Sequence, residues 1–406
     1  MDCWRGVRAS PRPVRMTPHT WRRPAQQYSD FPFEFVMSLA FNYPSIIVLF
    51  ASIKYGPRFS FTSRILLSLV VDLLVLIAVP PVNLYLPKKV AVWATIGGVF
   101  LCGLSTSLMF GSIMGLSSLF PPKYNMAVMS GNGVAGLVVA LLRACTKAGF
   151  AADAAGYRAS CWLYFGLAAA VIALCIVFFL VLLRLPITKF YFRQNQRHKD
   201  EAKRARASAA SSARGIAEAA LKAAAEVRDF SAFSVFLKIK LDAAMVFLVF
   251  FVTLSLFPGM TTEIALYPGG PAVLGHGWFQ ILLITLFLIG DFLGRTAPKW
   301  WIIFSPTSYR LPVVLRAVFF PLVILCIRPR VFADNWVPCL VLLGIGITNG
   351  YLGTLAMMFG PQRVDARERE TAGLILSFFL NFGIFCASHF AVLILYLVTG
   401  VFNLFD

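Results

Sequence analysis

The sequence predicts an all-α polytopic membrane protein, and three observations carry that prediction. Hydrophobic residues make up 59% and charged residues 14% of the 406, against roughly 45–50% and 25% in soluble domains. The apolar residues gather into ten runs of about the ~20 residues a spanning helix needs, and none alternates as a membrane β-strand does. The net charge of +19 falls between those runs, as the positive-inside rule expects, instead of forming the single basic face that nucleic acid requires. With a mean hydropathy of +0.76, the composition excludes a soluble enzyme, a secreted disulfide scaffold and a disordered chain. The lipid bilayer is an expected partner and nucleic acid is not.

The elements follow in order. Residues 1–32 carry six Arg and no apolar core segment; they are not a signal peptide and are expected to be a disordered basic, Pro-rich tail. Spanning helices are expected at about 33–53, 64–86, 90–118, 124–148 and 160–183. The first contains Asn42, Pro44 and Ser45 near its middle, which predicts a polar bend of the kind found where a helix lines a cavity. The third is long enough to tilt or to pass the interface. A polar segment, 184–240, follows with 13 Lys+Arg and five Asp+Glu, its Ala-rich middle partly helix-forming. It is read as a solvated cytoplasmic loop, with contact to an anionic leaflet as the alternative. Five more spans are expected at 241–266, 278–298, 311–328, 336–359 and 372–400. The organisation is therefore a five-helix bundle (33–183), the basic loop (184–240) and a second five-helix bundle (241–406).

Charge counting sets the orientation. With 184–240 inside, the internal segments on its side hold 23 Lys+Arg and those on the other side 7. The six Arg of the tail fall on the wrong side of a ten-span chain, a conflict that one absent upstream helix would remove.

Five groups of residues stand out within the spans. Gly131, Gly133 and Gly136 match G-x-G-x-x-G, but that fingerprint has meaning only between a strand and a helix. Inside long apolar flanks they read as small residues that let helices approach closely, as do Gly111/Gly115, Gly290/Gly294 and Gly346/Gly350. Asp291 and Arg295 are four residues apart on one helical face and can meet. Charges at that depth usually face a cavity or a partner, so they are either a polar hook for a substrate, with Asp accepting from hydroxyls and Arg donating, or a structural ion pair. Asp72 and Arg316, both inside spans, are expected to pair with each other, or Asp72 to titrate in a proton path. His389 reads as a packing histidine or a proton relay. No catalytic motif, CxxC or metal-ligand spacing occurs, so neither enzyme activity, a cofactor nor a metal is expected.

The run Gly115-Leu-Ser-Ser-Leu-Phe-Pro-Pro-Lys-Tyr-Asn-Met-Ala-Val-Met-Ser-Gly131-Asn-Gly133-Val-Ala-Gly136 resembles the signature of the equilibrative nucleoside transporters. Leu256-Phe-Pro-Gly259, Asp291-Phe-Leu-Gly-Arg295, and Asn349-Gly-Tyr-Leu352 with Pro361 and Ala372-Gly373 agree in order. Leu142–Ala148 is most similar to the protozoan parasite branch. The resemblance covers roughly 33–400 and implies a major-facilitator-like bundle of eleven helices, with alternating access and a long loop between the sixth and seventh. The helix at 33–53 then corresponds to the family's second, and the first, which contributes to the substrate cavity, is expected to be missing. The resemblance also makes Asp291 and Arg295 the sugar-binding pair. Asn42, Phe110 and Ile384 fall at cavity-lining positions. Phe110 stands where a base-reading Gln is frequent; Phe can stack on a base but cannot read its edge.

The expected function is transport of nucleosides or nucleobases in a multi-pass membrane protein of the plasma membrane, passive or coupled to protons through Asp72 or Asp291. The alternative is a non-transporting truncated paralogue or an incomplete gene model.

Overall fold

The computed structural model describes residues 33–56, 59–149, 154–211, 232–267, 278–332 and 334–399, together with Pro271 and Gly275. The expected basic tail, 1–32, lies outside these residues, as does 212–231 of the basic loop. Thirteen α-helices are described: α1 (Phe33–Tyr55), α2 (Phe61–Tyr85), α3 (Lys88–Ser117), α4 (Pro122–Gly149), α5 (Ala154–Arg184), α6 (Pro186–Ser211), α7 (Ala232–Leu256), the one-turn α8 (Gly259–Thr262), α9 (Trp278–Thr296), α10 (Arg310–Leu315), α11 (Phe319–Ile327), α12 (Trp336–Phe359) and α13 (Arg369–Thr399). They supply ten segments long and apolar enough to cross a membrane. Each coincides with one of the ten runs expected from the sequence.

The local chemistry explains where these elements begin and bend. Ser60 caps α2, its hydroxyl accepting from the Thr62 amide, which satisfies a donor that the first turn leaves free. α3 stops at Ser117, ahead of Pro121, and Pro122 opens α4. Pro44 sits within α1 and cannot donate to the helix ladder. Its neighbour Ser45 bonds the Phe41 carbonyl at 2.6 Å and the Gly103 carbonyl of α3 at 3.1 Å, so the polar notch in α1 is used to dock α3. The span at 311–328 is not one smooth helix: a 3₁₀ turn, Arg316–Val318, separates α10 from α11. The segment read as a loop is helical over α6, and α7 begins at Ala232, ahead of the expected span.

Packing follows the small residues. α9 lies along α12, and their two Gly-xxx-Gly pairs interlock. A Cβ at Gly290 or Gly294 would overlap the backbone of Leu343 or Ile347, and one at Gly346 or Gly350 that of Phe287 or Asp291. Backbones this close gain dispersion contacts that lipid tails cannot supply. Gly111 faces Leu49 of α1 and Leu374 of α13, and Gly115 faces Glu370. On α4, Gly133 lies against Phe292 and Arg295, and Gly136 against Leu288, whereas no atom lies within 4 Å of a Cβ at Gly131. Gly133 and Gly136 thus face α9, and Gly131 does not.

Among the described residues three apolar cores result. The largest joins α7, α12 and α13 to Met114 of α3 and Met129 of α4. A second lies between α7, α9, α11 and α12. A third joins α2, α3 and α5 and takes in Tyr191 and Phe192 from the start of α6, with Phe192 stacked on Phe61 and Tyr191 tilted against Phe120.

Candidate functional site

The polar centre of the molecule is on α9. Asp291 and Arg295 lie one turn apart on the face that meets α12 and α4, and both are buried, at 6% and 7% exposure. Arg295 Nε donates to Asp291 Oδ2 at 2.6 Å. Two groups that sequence reasoning did not connect with the pair complete it. Asn349 of α12 donates from Nδ2 to Asp291 Oδ1 at 2.7 Å. Thr253 of α7 stands 2.8 Å from the Asn349 carbonyl oxygen. Two residues thus donate to the Asp291 carboxylate, and with Thr253 four residues on three helices form one hydrogen-bonded chain. The family motif at Asn349 was visible in the sequence, but neither its bond to Asp291 nor the bond of Thr253 to Asn349 carries a local signal.

Arg316, 2% exposed, ends the same network. Its Nη2 donates to Thr253 Oγ1 at 2.6 Å, its Nη1 to the Val249 carbonyl at 2.7 Å and its Nε to Thr348 Oγ1 at 3.1 Å. The expected Arg316–Asp72 pair is not formed: Asp72 lies on α2 and turns to α3, accepting from Ser105 and, at 3.3 Å, from Thr106. The reason is topological, since Arg316 packs among α7 and α12 while α2 packs among α3 and α5.

Phe110 of α3 and Ile384 of α13 are half-buried against the largest core. That core includes Met129, whose sulfur lies 4.0 Å from Arg295 Nη1. The structure thus brings both side chains to the core that the ion pair borders. Asn42 turns back on its own helix, donating to the Ser38 carbonyl at 3.0 Å. His389 is exposed, its Nδ1 2.9 Å from the Phe385 carbonyl and its ring beside Tyr43.

The pair sits at a seam. Ser130 of α4 donates to the Arg295 carbonyl at 3.2 Å, and Gly133 admits the Arg295 stem. Helices from before and after the basic segment therefore close on the same two residues. At the ends that carry the basic loops, the two sets are also pinned together. Arg64 of α2 pairs with Glu370 of α13 at 3.1 Å with both buried. Asn125 of α4 donates to the Met357 carbonyl of α12 at 2.6 Å. Gly373 of α13 is seated on Ser118 and Met114 of α3. Within the second set, Arg363 and Tyr309 converge on buried Asp242 at 2.6 and 2.7 Å. Burial first, and the adjacent Asp242 carboxylate second, raise the Tyr309 phenol above its ordinary value, so it remains a donor. A cavity of about 290 Å³ opens beside this seam, lined by Ser117, Ser118, Asn125, Gln362 and Arg369.

Among the described residues the architecture is a membrane-spanning helical bundle, ten helices of spanning length with a buried charged pair where its two sets of helices meet. The fold resembles that of the E. coli fucose:proton symporter, with a TM-score of 0.55 at 12% identity over 92% of this chain and 86% of that one. The family model described as nucleoside transporter matches residues 96–396, and the chain belongs to that family. Among its relatives are equilibrative nucleotide transporter 8 of Arabidopsis thaliana, 27% identical over 89% of this chain and 86% of the relative, and equilibrative nucleotide transporter 1 of the same plant, 30% identical over 86% and 75%. Human equilibrative nucleoside transporter 1 is 29% identical over 89% and 82%. The protein is a multi-pass membrane protein.

Proposed function

We propose that this protein moves nucleosides across the membrane by alternating access, with Asp291 and Arg295 as the sugar-binding pair. The observation that carries the reading is the position of that pair, buried where α4 meets α9 and α12. A carboxylate offers about four acceptor positions, and the two described bonds to Asp291 leave others for ribose hydroxyls. Arg295 supplies further donors. Phe110 and Ile384, on the core that borders the pair, contact the base through apolar surface, so the base is selected by stacking and fit more than by its hydrogen-bonding edge. The names of the plant and human relatives point to the same substrate class.

In this reading 33–183 and 241–406 rock as two bundles about the substrate. The 184–240 segment lies in the cytoplasm and the protein in the plasma membrane, within the branch that Leu142–Ala148 resembles. The Arg64–Glu370, Asn125–Met357 and Gly373–Ser118 contacts then hold the cytoplasmic side shut. Coupling to protons would run through Asp72, whose partners are hydroxyls; Asp291 is the weaker candidate, because its charge is already matched by Arg295. Asp72→Asn then abolishes the pH dependence of uptake, and uptake indifferent to pH and uncouplers in the wild type removes coupling altogether.

A second reading, a chain that reaches the membrane without transporting, rests on Phe110, which cannot read a base edge. Uptake of radiolabelled adenosine, inosine and hypoxanthine by cells lacking purine uptake separates the two. Saturable entry supports transport. Silence with surface expression confirmed supports the second reading.

A further inference from the structure

The carboxylate that the proposed function assigns to ribose is held by a chain of hydrogen bonds whose direction is set at its far end. Arg316 has donors and no acceptor, so Thr253 Oγ1 must accept from Nη2 at 2.6 Å. The Thr253 hydroxyl then has one proton to place, and two acceptors are in reach: the Val249 carbonyl at 2.9 Å and Asn349 Oδ1 at 2.8 Å. The Val249 carbonyl already receives Arg316 Nη1 at 2.7 Å, which leaves Asn349 Oδ1 as the better acceptor. With its oxygen toward Thr253, the Asn349 amide must present its NH₂ to Asp291 Oδ1, the bond observed at 2.7 Å. The flipped amide would set its oxygen against the Asp291 carboxylate and push the Thr253 proton onto the Val249 carbonyl, which Arg316 Nη1 already occupies. Asn349 and Thr253 are 3% and 0% exposed, and Arg316 is further anchored by Thr348 and the Ile345 carbonyl. The chain Arg316–Thr253–Asn349 therefore fixes which lone pairs of Asp291 are used up within the protein and which stay free.

We propose that Arg316, acting through Thr253 and Asn349, is a positioning residue for Asp291, and that this chain sets the preference of transport for ribonucleosides over nucleosides lacking the 2′- and 3′-hydroxyls. The proposal rests on the reading that Asp291 and Arg295 bind the sugar. It assigns three residues outside the D-x-x-G-R motif to substrate discrimination, each on a different segment from the pair they act on.

The test compares inosine with 2′,3′-dideoxyinosine, as the ratio of Vmax/KM for the two substrates within one variant, so that differences in expression cancel. The variants are Thr253→Val, Thr253→Ser, Asn349→Leu and Asp291→Asn. Thr253→Val keeps the shape and removes the hydroxyl, Thr253→Ser keeps the hydroxyl, and Asn349→Leu removes the amide at similar volume. The proposal expects Thr253→Val and Asn349→Leu to lose about tenfold of the wild-type preference for inosine, through a raised KM for inosine and an unchanged KM for the dideoxy compound. Thr253→Ser retains the preference. A merely structural role lowers entry of both substrates alike and leaves the ratio intact, and that result overturns the proposal. Asp291→Asn tests the underlying reading separately. If it keeps the inosine preference, ribose is not read by Asp291 and the proposal falls with that reading. If it loses the preference while Thr253→Val and Asn349→Leu keep it, the positioning chain alone is refuted.

Discussion

Substituting Gly294 by Ala tests the packing that places the charged pair. A Cβ there would come to 2.8 Å from the Tyr351 amide nitrogen and closer still to the Ile347 carbonyl, whereas ordinary contact begins at 3.4 Å. Both neighbours are helix backbone and cannot rotate away, so α9 and α12 must part by at least about 0.6 Å, the difference between those two distances. The same movement stretches the 2.7 Å Asn349–Asp291 bond toward the ~3.2 Å limit of a good N–H···O bond. Overpacking of this kind costs about 1–3 kcal/mol, and Ala returns about 1 kcal/mol of helix propensity relative to Gly. Adding about 1 kcal/mol for the weakened charge-assisted bond, the net loss is about 2 kcal/mol, or a melting temperature lower by roughly 2–3 °C for a chain of 406 residues. Gly131→Ala is the matched control, because its Cβ meets nothing within 4 Å and Ala at an open helical site should stabilise by roughly 0.5–1 kcal/mol. Thermal stability of the detergent-purified protein, read by fluorescence-detected size-exclusion after heating, compares the two. A Gly294→Ala protein that melts with the wild type, or a Gly131→Ala protein that melts below it, would refute the account of the α9–α12 seam.

Three further outcomes follow from the geometry. Glu370→Gln strips the counter-charge from buried Arg64, a loss of about 3–5 kcal/mol. A cysteine placed at Ser118 should then react faster with a membrane-impermeant thiol reagent supplied from the basic-loop side, and an unchanged rate contradicts the pinning role given to this pair. Tyr309→Phe removes the 2.7 Å bond to Asp242 and should lower stability by about 1.5–3 kcal/mol. Because the phenol is raised, its contribution is fully present below the ordinary tyrosine value of about 10 and fades only as pH rises through the higher folded value. The gap between variant and wild type should therefore stay constant from about pH 6 to pH 9, and a gap that changes within that window contradicts the assignment. Asn125→Ala breaks the 2.6 Å tie from α4 to the Met357 carbonyl and should cost about 1–2 kcal/mol; a variant melting with the wild type argues against that tie.

What the sequence reveals here is what short-range physics encodes. Apolar runs of spanning length mark the ten segments because a helix in lipid must satisfy its backbone within itself. Asp291 and Arg295 could be matched because they lie one turn apart on one helix. Gly290/Gly294 and Gly346/Gly350 could be recognised as packing motifs, but not as partners of each other, since nothing local says which two helices meet. The same limit explains the Asp72–Arg316 expectation. Each is a buried charge in need of a partner, but α2 delivers Asp72 to the hydroxyls of α3, and Arg316 is served by carbonyls and hydroxyls of α7 and α12. Thr253 gave no signal because a lone Thr in an apolar helix ordinarily bonds its own preceding turn, as its contact with Val249 also does. The 3₁₀ break at Arg316–Val318 was hidden within one continuous apolar run.

The most direct test of the central claim is entry of radiolabelled inosine into cells lacking purine uptake, expressing the wild-type chain or Asp291→Asn at matched surface levels. Asp291→Asn replaces a charged acceptor by a neutral amide, and hydrogen bonds to charged groups are worth about 1.5–3 kcal/mol each. The account predicts saturable inosine entry by the wild type and a fall of about a hundredfold or more in Vmax/KM for the variant. Wild-type entry that Asp291→Asn leaves intact would contradict the assignment of the sugar to this pair, and no entry by a wild-type protein present at the surface would contradict transport itself.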